Sequence, residues 1–357
     1  MSRVSAIGFL ASLTLATAVG QAAVTFDWAT VGNPSNAADP LTGDLYGAVA
    51  NSYSISKYET TNAQYVEFLN AVDASGANTR ALYSSGMSTN GNSAGISFAA
   101  GNASGSKYGV LSGQGNKPVT FVSWYDTARM ANWMHNGQGA GSTETGVYTL
   151  TSNTSISGGR SASATFFIPT ENEWYKAAYH QPAAAGGDAD SYWLYPTGTN
   201  TEPNSDQPPG DVSINQNVGN FFRNDSLVNG FNDGWAVTGS TGYSSLQNYL
   251  TDAGAYTLAD SFYGTFDQGG NVFEWNETLI SGSSRGLRGG WWGNGSGNLR
   301  SDFRYDGVPT GEDGGIGFRL ASIPEPASMM GLVFAAVMTL STRRCRASLK
   351  RPEPQRV

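Results

Sequence analysis

The sequence predicts one loop-rich globular domain set between two ends of different character, and three observations carry that expectation. Glycine fills 46 of 357 positions and only 13% of the residues are charged, far from the Glu-, Lys- and Leu-rich composition of a helical bundle. From about residue 24 to 322 there is no repeat at a constant period and no polybasic or proline-rich linker, so one domain is the economical division. The first and last stretches have the make-up of targeting segments. Hydrophobic residues at 39% and aromatics at 12% allow a sizeable core in which large rings supply the burial that sparse aliphatics do not.

The formal charge of −8 conceals an asymmetry. Arg3, Arg343, Arg344, Arg346, Lys350, Arg351 and Arg356 all lie in the ends; without them, and without Glu325 and Glu353, 13 basic residues face 26 acidic ones, a body near −13. That balance argues against nucleic acid and anionic membrane faces as partners and suits cations. The single cysteine, Cys345, sits in the terminal tail, so no intramolecular disulfide can form and extra stability must come from packing or metal ions.

Taken in order, residues 1–23 carry one early positive charge at Arg3, an apolar stretch over 6–19, and small residues at Gly20, Ala22 and Ala23, the pattern of a secretory signal peptide. Thr61-Asn62-Ala63-Gln64 is a capping box, and Tyr65, Phe68, Leu69 and Val72 then recur at helical spacing to form one buried face. Segments 73–117 and 135–165, rich in Gly, Ser, Asn and Ala, read as long surface loops. Residues 118–122 are strand-like and lead into a second helix beginning at Ser123, with Trp124, Ala128 and Ala131 on its inner face. A third helix starts at Thr170, where Glu173 closes another capping box and Trp174, Ala177 and Ala178 point inward. His135 and His180, the two histidines, close the second and third helices, where a cation favours the C-terminal dipole. After Ile323-Pro324-Glu325-Pro326 comes an apolar run over 327–340 and then Arg343-Arg344-Cys345-Arg346. The run is short for a free-standing span, which needs ~20 apolar residues, and the basic cluster fits a cytoplasmic stop.

That C-terminal order closely resembles the PEP-CTERM sorting signal, carried here by Pro324, Glu325 and Pro326. The resemblance implies Sec-dependent export, transient inner-membrane anchoring through 323–346 with a basic tail at 347–357, processing by an exosortase, and delivery to the cell surface or extracellular matrix, often alongside exopolysaccharide production. A simple membrane anchor that is never cut is the alternative.

Between the ends, successive phrases resemble the sulfatase-modifying factor, or formylglycine-generating enzyme, family: Tyr58-Glu59-Thr60-Thr61-Asn62, then Pro118-Val119 with Ser123-Trp124-Tyr125-Asp126, then Ile168-Pro169-Thr170-Glu171-Asn172-Glu173-Trp174, Gly270-Asn271-Val272-Phe273-Glu274-Trp275, Arg288-Gly289-Gly290-Trp291 and Gly317-Phe318-Arg319. They span roughly residues 50 to 321 in the family's order. What the resemblance implies is a single α+β domain, 24–322, related to the C-type lectin fold, in which Arg288 and Arg319 serve as internal hydrogen-bond anchors.

The resemblance also implies two structural calcium sites. One would use the side chains of Asp267 and Glu274 and the carbonyls of Gly270 and Val272, and the other Asn220, the carbonyl of Phe221, Asp233 and the carbonyl of Trp235. Short Gly-, Asn- and Asp-rich loops can present the six to eight oxygens calcium takes; ordinary Asx turns are the other reading of the same composition. The family's enzyme oxidises a sulfatase cysteine to formylglycine with a pair of cysteines that bind copper(I), a metal suited to soft thiolates. The stretch after Gly289-Gly290, residues 291–298, contains neither cysteine, so no copper is expected. No zinc cluster, phosphate loop or dinucleotide fingerprint appears.

The resulting expectation is an exported, noncatalytic, calcium-stabilised protein that binds an extracellular ligand, with exopolysaccharide or a surface protein as candidates. Trp291 and Trp292, with Asn294, Asn298, Asp302 and Arg304 nearby, are placed to stack on a sugar and bond its hydroxyls, although one tryptophan is also expected to serve the core. The alternatives are a formylglycine-generating-type oxidoreductase, or altered chemistry in the same cleft, and a purely structural matrix role.

Overall fold

Three helices begin where their capping residues put them. In α1 (Asn62–Val72) the Gln64 amide N–H donates to Thr61 Oγ1 while Gln64 Oε1 accepts from the Thr61 N–H, and Tyr65, Phe68 and Leu69 are fully buried. Ser123 starts α2 (Trp124–His135) with the same exchange, its partner being Asp126. Thr170 and Glu173 start α3 (Glu171–Tyr179). Each cap satisfies donors that a helix leaves open at its first turn. These coordinates are a computed structural model that describes residues 23–210, 213 and 216–323.

Two four-stranded sheets organise the rest. The first comprises β1 (Trp28–Val31), β2 (Tyr53–Ser56), β3 (Phe166–Phe167) and β8 (Ala321–Ser322), in the antiparallel order β1-β2-β8-β3. The second comprises β4 (Phe273–Ser281), β5 (Ser284–Arg288), β6 (Tyr305–Gly307) and β7 (Ile316–Gly317), in the order β6-β5-β4-β7, with β4 and β7 parallel. β4 is buried from Phe273 to Asn276 because helices cover it: the indole N–H of Trp174 donates to Glu274 at 2.7 Å and that of Trp124 to the Asn276 carbonyl at 3.2 Å.

Arg319 ties the two sheets together. Its guanidinium bonds Glu274 twice, at 2.6 and 2.7 Å, and the carbonyls of Ser56, Lys57 and Phe266, with both partners of the ion pair fully buried. Arg288 pairs with buried Glu171 at 2.7 Å. Both arginines are the internal anchors their sequence context implies, and at Arg319 all three guanidinium nitrogens have acceptors, as a buried pair requires.

Several sequence expectations need correction. The two glycine-rich segments are not featureless: Ile96–Phe98 pairs with Tyr108–Val110, and Thr149–Ser152 with Ser155–Ser157. Residues 118–122 do not form a strand, since Phe121 takes a left-handed φ of 58° and the segment divides its hydrogen bonds between Thr60 and Asp313. The signal peptide, apart from Ala23, and the sorting motif Pro324, Glu325 and Pro326 lie outside the described residues. Among the described residues no helix is long and apolar enough to cross a membrane.

Candidate functional site

Three loops meet at one end of the second sheet: 267–272 entering β4, 289–304 leaving β5, and 308–315 entering β7. Gly289 and Gly290 turn the second loop with consecutive φ values of 96° and 75°, a backbone that side chains rarely tolerate. The next residue, Trp291, lies against the Gly315 backbone so closely that a Cβ there would come within 2.3 Å of its ring. Trp292 bonds back through its N–H to the Asn271 carbonyl at 3.0 Å and stacks on Tyr249 at 4.7 Å. It is only 5% exposed, so Trp292 is the core tryptophan and Trp291 the half-buried one.

A groove opens on each side of Trp291. The first, about 330 Å³, is walled by Phe121, Trp235, Tyr243, Trp291 and Trp292, with Asn90 and Asp313 at its rim. The second, about 390 Å³, is walled by Phe273, Trp291, Phe303 and Tyr305, with Asn294, Asn298 and again Asp313. No lysine, arginine or histidine lines either groove. The indole N–H groups of Trp235 and Trp292 are buried without a protein acceptor.

Asp302 and Arg304 do not join this site. After the 3-10 turn Ser296–Leu299 the chain bonds to Leu194 through the Ser301 N–H and turns away. Asp302 then pairs with Arg300 at 2.6 Å, and Arg304 with Glu171 at 2.7 Å, its guanidinium 5.0 Å from the Tyr46 ring. The expected ligand set is thus corrected to Trp291, Trp292, Asn294 and Asn298, joined by Trp235, Tyr243, Phe273, Tyr305 and Asp313 from distant parts of the sequence.

The expected calcium loops have a mixed fit. Both Glu274 oxygens are engaged by Arg319. Around that ion pair, however, lie two more carboxylates. Asp267 takes a left-handed φ of 58° and accepts from the Gly254 N–H at 2.5 Å; its carboxyl is pushed up to about 6, by removal from water first and by Glu274. Glu59, 1% exposed, accepts from Asn271 through one oxygen and leaves the other buried without a partner; burial first, then Asp267 and Glu274, raise its carboxyl well above the usual range. Glu59 and Asp267 thus stand beside the Glu274–Arg319 pair without a guanidinium bond of their own, and the orphaned Glu59 oxygen is of the donor type a hard cation takes. Glu59 was not anticipated at this locus because nothing in its local spacing marks an acid before a helix cap as buried.

In the second set, the hairpin of Phe222–Asn224 with Asp233–Trp235 sets Trp235 opposite Phe222, next to Phe221, and Asp233 opposite Asn224, at the far end from Asn220. Asn220 turns its amide N–H₂ toward the Tyr249 carbonyl and Asn271 Oδ1, so its own Oδ1 is the atom a cation would take. The Phe221 carbonyl accepts from Ser205 Oγ at 2.5 Å, Asp233 from the Gly230 N–H at 3.0 Å, and the Trp235 carbonyl from Thr238 and Gly239. Among the described residues no three His, Cys, Asp or Glu side chains are grouped to hold a metal by themselves, so carbonyl and amide oxygens would be needed at either place.

The histidines are structural, though His180 is not so for the reason its position suggests. It is 2% exposed, bonds Tyr263 Oη at 2.8 Å, and its pKa is lowered to about 4 by burial first and by Lys176; the ring is a neutral packing group rather than a cation on a helix dipole. His135 bonds Thr165 at 2.7 Å.

A family model described as the sulfatase-modifying factor enzyme 1-like domain matches residues 46–323. Similar solved structures include Treponema denticola variable protein 1, 18% identical with a TM-score of 0.47 over 85% of this chain and 97% of that one. CarF is 18% identical with a TM-score of 0.49 over 84% and 99%. PvdO from Pseudomonas aeruginosa is 16% identical with a TM-score of 0.39 over 84% and 92%. None of the curated proteins compared matches this chain.

Proposed function

Because the chain belongs to the sulfatase-modifying factor enzyme 1-like family, we propose that it keeps the family's domain as a noncatalytic, calcium-stabilised binding protein, exported to the cell surface or extracellular matrix, with a polysaccharide as its ligand. The observation that carries this reading is the loop after Gly289-Gly290. Where the family's oxidation of cysteine needs paired thiols, residues 291–298 hold none and instead supply an aromatic ridge between two grooves. Soft thiolates hold copper(I); amides and hydroxyls do not.

Export rests on the signal-peptide pattern of residues 1–23 and on the Pro324-Glu325-Pro326 segment, which implies an exosortase as processing partner. Calcium rests on the charge surplus at Glu59 and Asp267, with the Gly270 and Val272 carbonyls, and on the hairpin set of Asn220, Phe221, Asp233 and Trp235. With no disulfide available, bound ions are the natural source of added stability.

Calorimetric titration of the chelator-treated protein with calcium is expected to find two ions and a raised melting temperature; one ion, lost in Glu59→Gln, would restrict calcium to the first locus, and no binding would remove calcium from the reading. Co-sedimentation with the producing cell's exopolysaccharide is expected to saturate and to weaken in excess chelator. A mass decrease on a cysteine-containing sulfatase peptide incubated with the protein and copper would overturn the noncatalytic reading; an unchanged peptide is expected.

A further inference from the structure

We propose that the two grooves flanking Trp291 form one track for an unbranched, uncharged oligosaccharide long enough to cross the tryptophan, and that this track excludes acidic glycans. The inference rests on the ligand-binding reading above and narrows it to a chemical class.

Both grooves share Trp291 and Asp313 and differ in everything else, so the ring is a ridge between neighbouring depressions rather than the back wall of one. Each depression, about 330 and 390 Å³, lies near the lower end of the ~300–1,000 Å³ range of small-molecule sites. A short sugar fills one of them, and only a longer chain reaches both.

The linings favour sugar over a peptide or lipid. Tyr243 and Tyr305 are more than half exposed, at 58% and 51%, and with Trp291 they offer flat faces to the C–H face of a pyranose on either side of the ridge. The amides of Asn90, Asn294 and Asn298 carry both donors and acceptors, the combination that hydroxyl-rich ligands need.

Charge decides between neutral and acidic glycans. Asp313, where the grooves adjoin, is the only acidic residue in either lining, and no cation accompanies it. Its Oδ1 accepts from the Gly315 N–H at 2.9 Å, which leaves the carboxylate able to accept from sugar hydroxyls. A uronic acid crossing the same point would set carboxylate against carboxylate with nothing to neutralise the pair.

The test is calorimetric titration of the full chain, in calcium, with linear gluco-, galacto- and manno-oligosaccharides from disaccharide to hexasaccharide and with an oligouronate hexamer. At least one neutral hexasaccharide is expected to bind about tenfold or more tightly than its disaccharide, since the second groove is filled intramolecularly, and the uronate is expected not to bind. Asn298→Ala, in the second groove only, should weaken the hexasaccharide and reduce the length dependence. Asp313→Asn should admit the uronate, an effect that misfolding cannot mimic. A disaccharide as tight as its hexasaccharide, uronate binding to the unaltered protein, or failure of every neutral hexasaccharide would overturn the inference. If exopolysaccharide still co-sediments in that last case, the ligand-binding reading survives; if it does not, both fall.

Discussion

Replacing Arg319 with methionine tests how the two sheets are held together. The fully buried guanidinium makes two bonds to Glu274 and three to carbonyls of Ser56, Lys57 and Phe266. Methionine fills much of the volume but leaves the Glu274 carboxyl group without its partner, beside Asp267 and Glu59. Removing one partner of a buried pair costs about 3–5 kcal/mol, against a total stability of roughly 5–15 kcal/mol. With an unfolding slope of about 3 kcal/mol per molar urea, the midpoint should fall by roughly 1–2 M. The assay is urea unfolding followed by tryptophan fluorescence in excess chelator, so that no metal takes over the lost charge. Adding Glu274→Gln to the variant removes the stranded carboxylate and should recover part of the loss. A single variant that loses less than about 1 kcal/mol, or a double variant no more stable than the single, would refute the view that Arg319 works by neutralising this locus.

Three further outcomes follow from the same coordinates. Ser123→Ala should destabilise the protein by about 1 kcal/mol in urea unfolding, because the Asp126 N–H loses its acceptor at the start of α2. His180 has its pKa lowered from 6.5 to about 4, so its contribution is complete above pH 6.5 and is lost as the pH falls toward 4; at about 1.4 kcal/mol per unit the loss approaches 3 kcal/mol. Stability curves at pH 7 and pH 4.5 should therefore converge for His180→Gln relative to the unaltered protein, and an unchanged difference would contradict a buried neutral ring. Gly315→Ala places a methyl group 2.3 Å from the Trp291 ring, which should cost about 1–3 kcal/mol and shift the near-UV circular dichroism of the tryptophans.

The helices were legible and the sheets were not, and the reason is length. Thr61 and Thr170 announce their helices because a capping box is a short local code whose two bonds close within four residues. β3, β7 and β8 have two residues each, too few for alternation to register, and their partners lie far away in sequence. The same limit governs the site. Trp291, Trp292, Asn294 and Asn298 were readable because one loop carries them, whereas Trp235, Tyr243, Tyr305 and Asp313 reach the grooves only through folding. Nearness in sequence also misled: Asp302 and Arg304 stand close to Trp291 along the chain, yet a single 3-10 turn sends them to Arg300 and Glu171. His180 packs as a buried ring, and its neutrality depends on burial and on Lys176, which helix position alone does not reveal.

The place of β8 gives the domain a mechanical property. The last described strand lies between β2 and β3 rather than on an edge, with Ala321 and Ser322 paired to Ile55 and Ser54 on one side and to Phe167 and Phe166 on the other. Tension drawn along the chain from Ile323 cannot peel this strand from one neighbour alone; it loads both at once and then meets the five bonds of Arg319. A domain tugged from that end would resist as a knot resists, with the strength concentrated where the pull arrives.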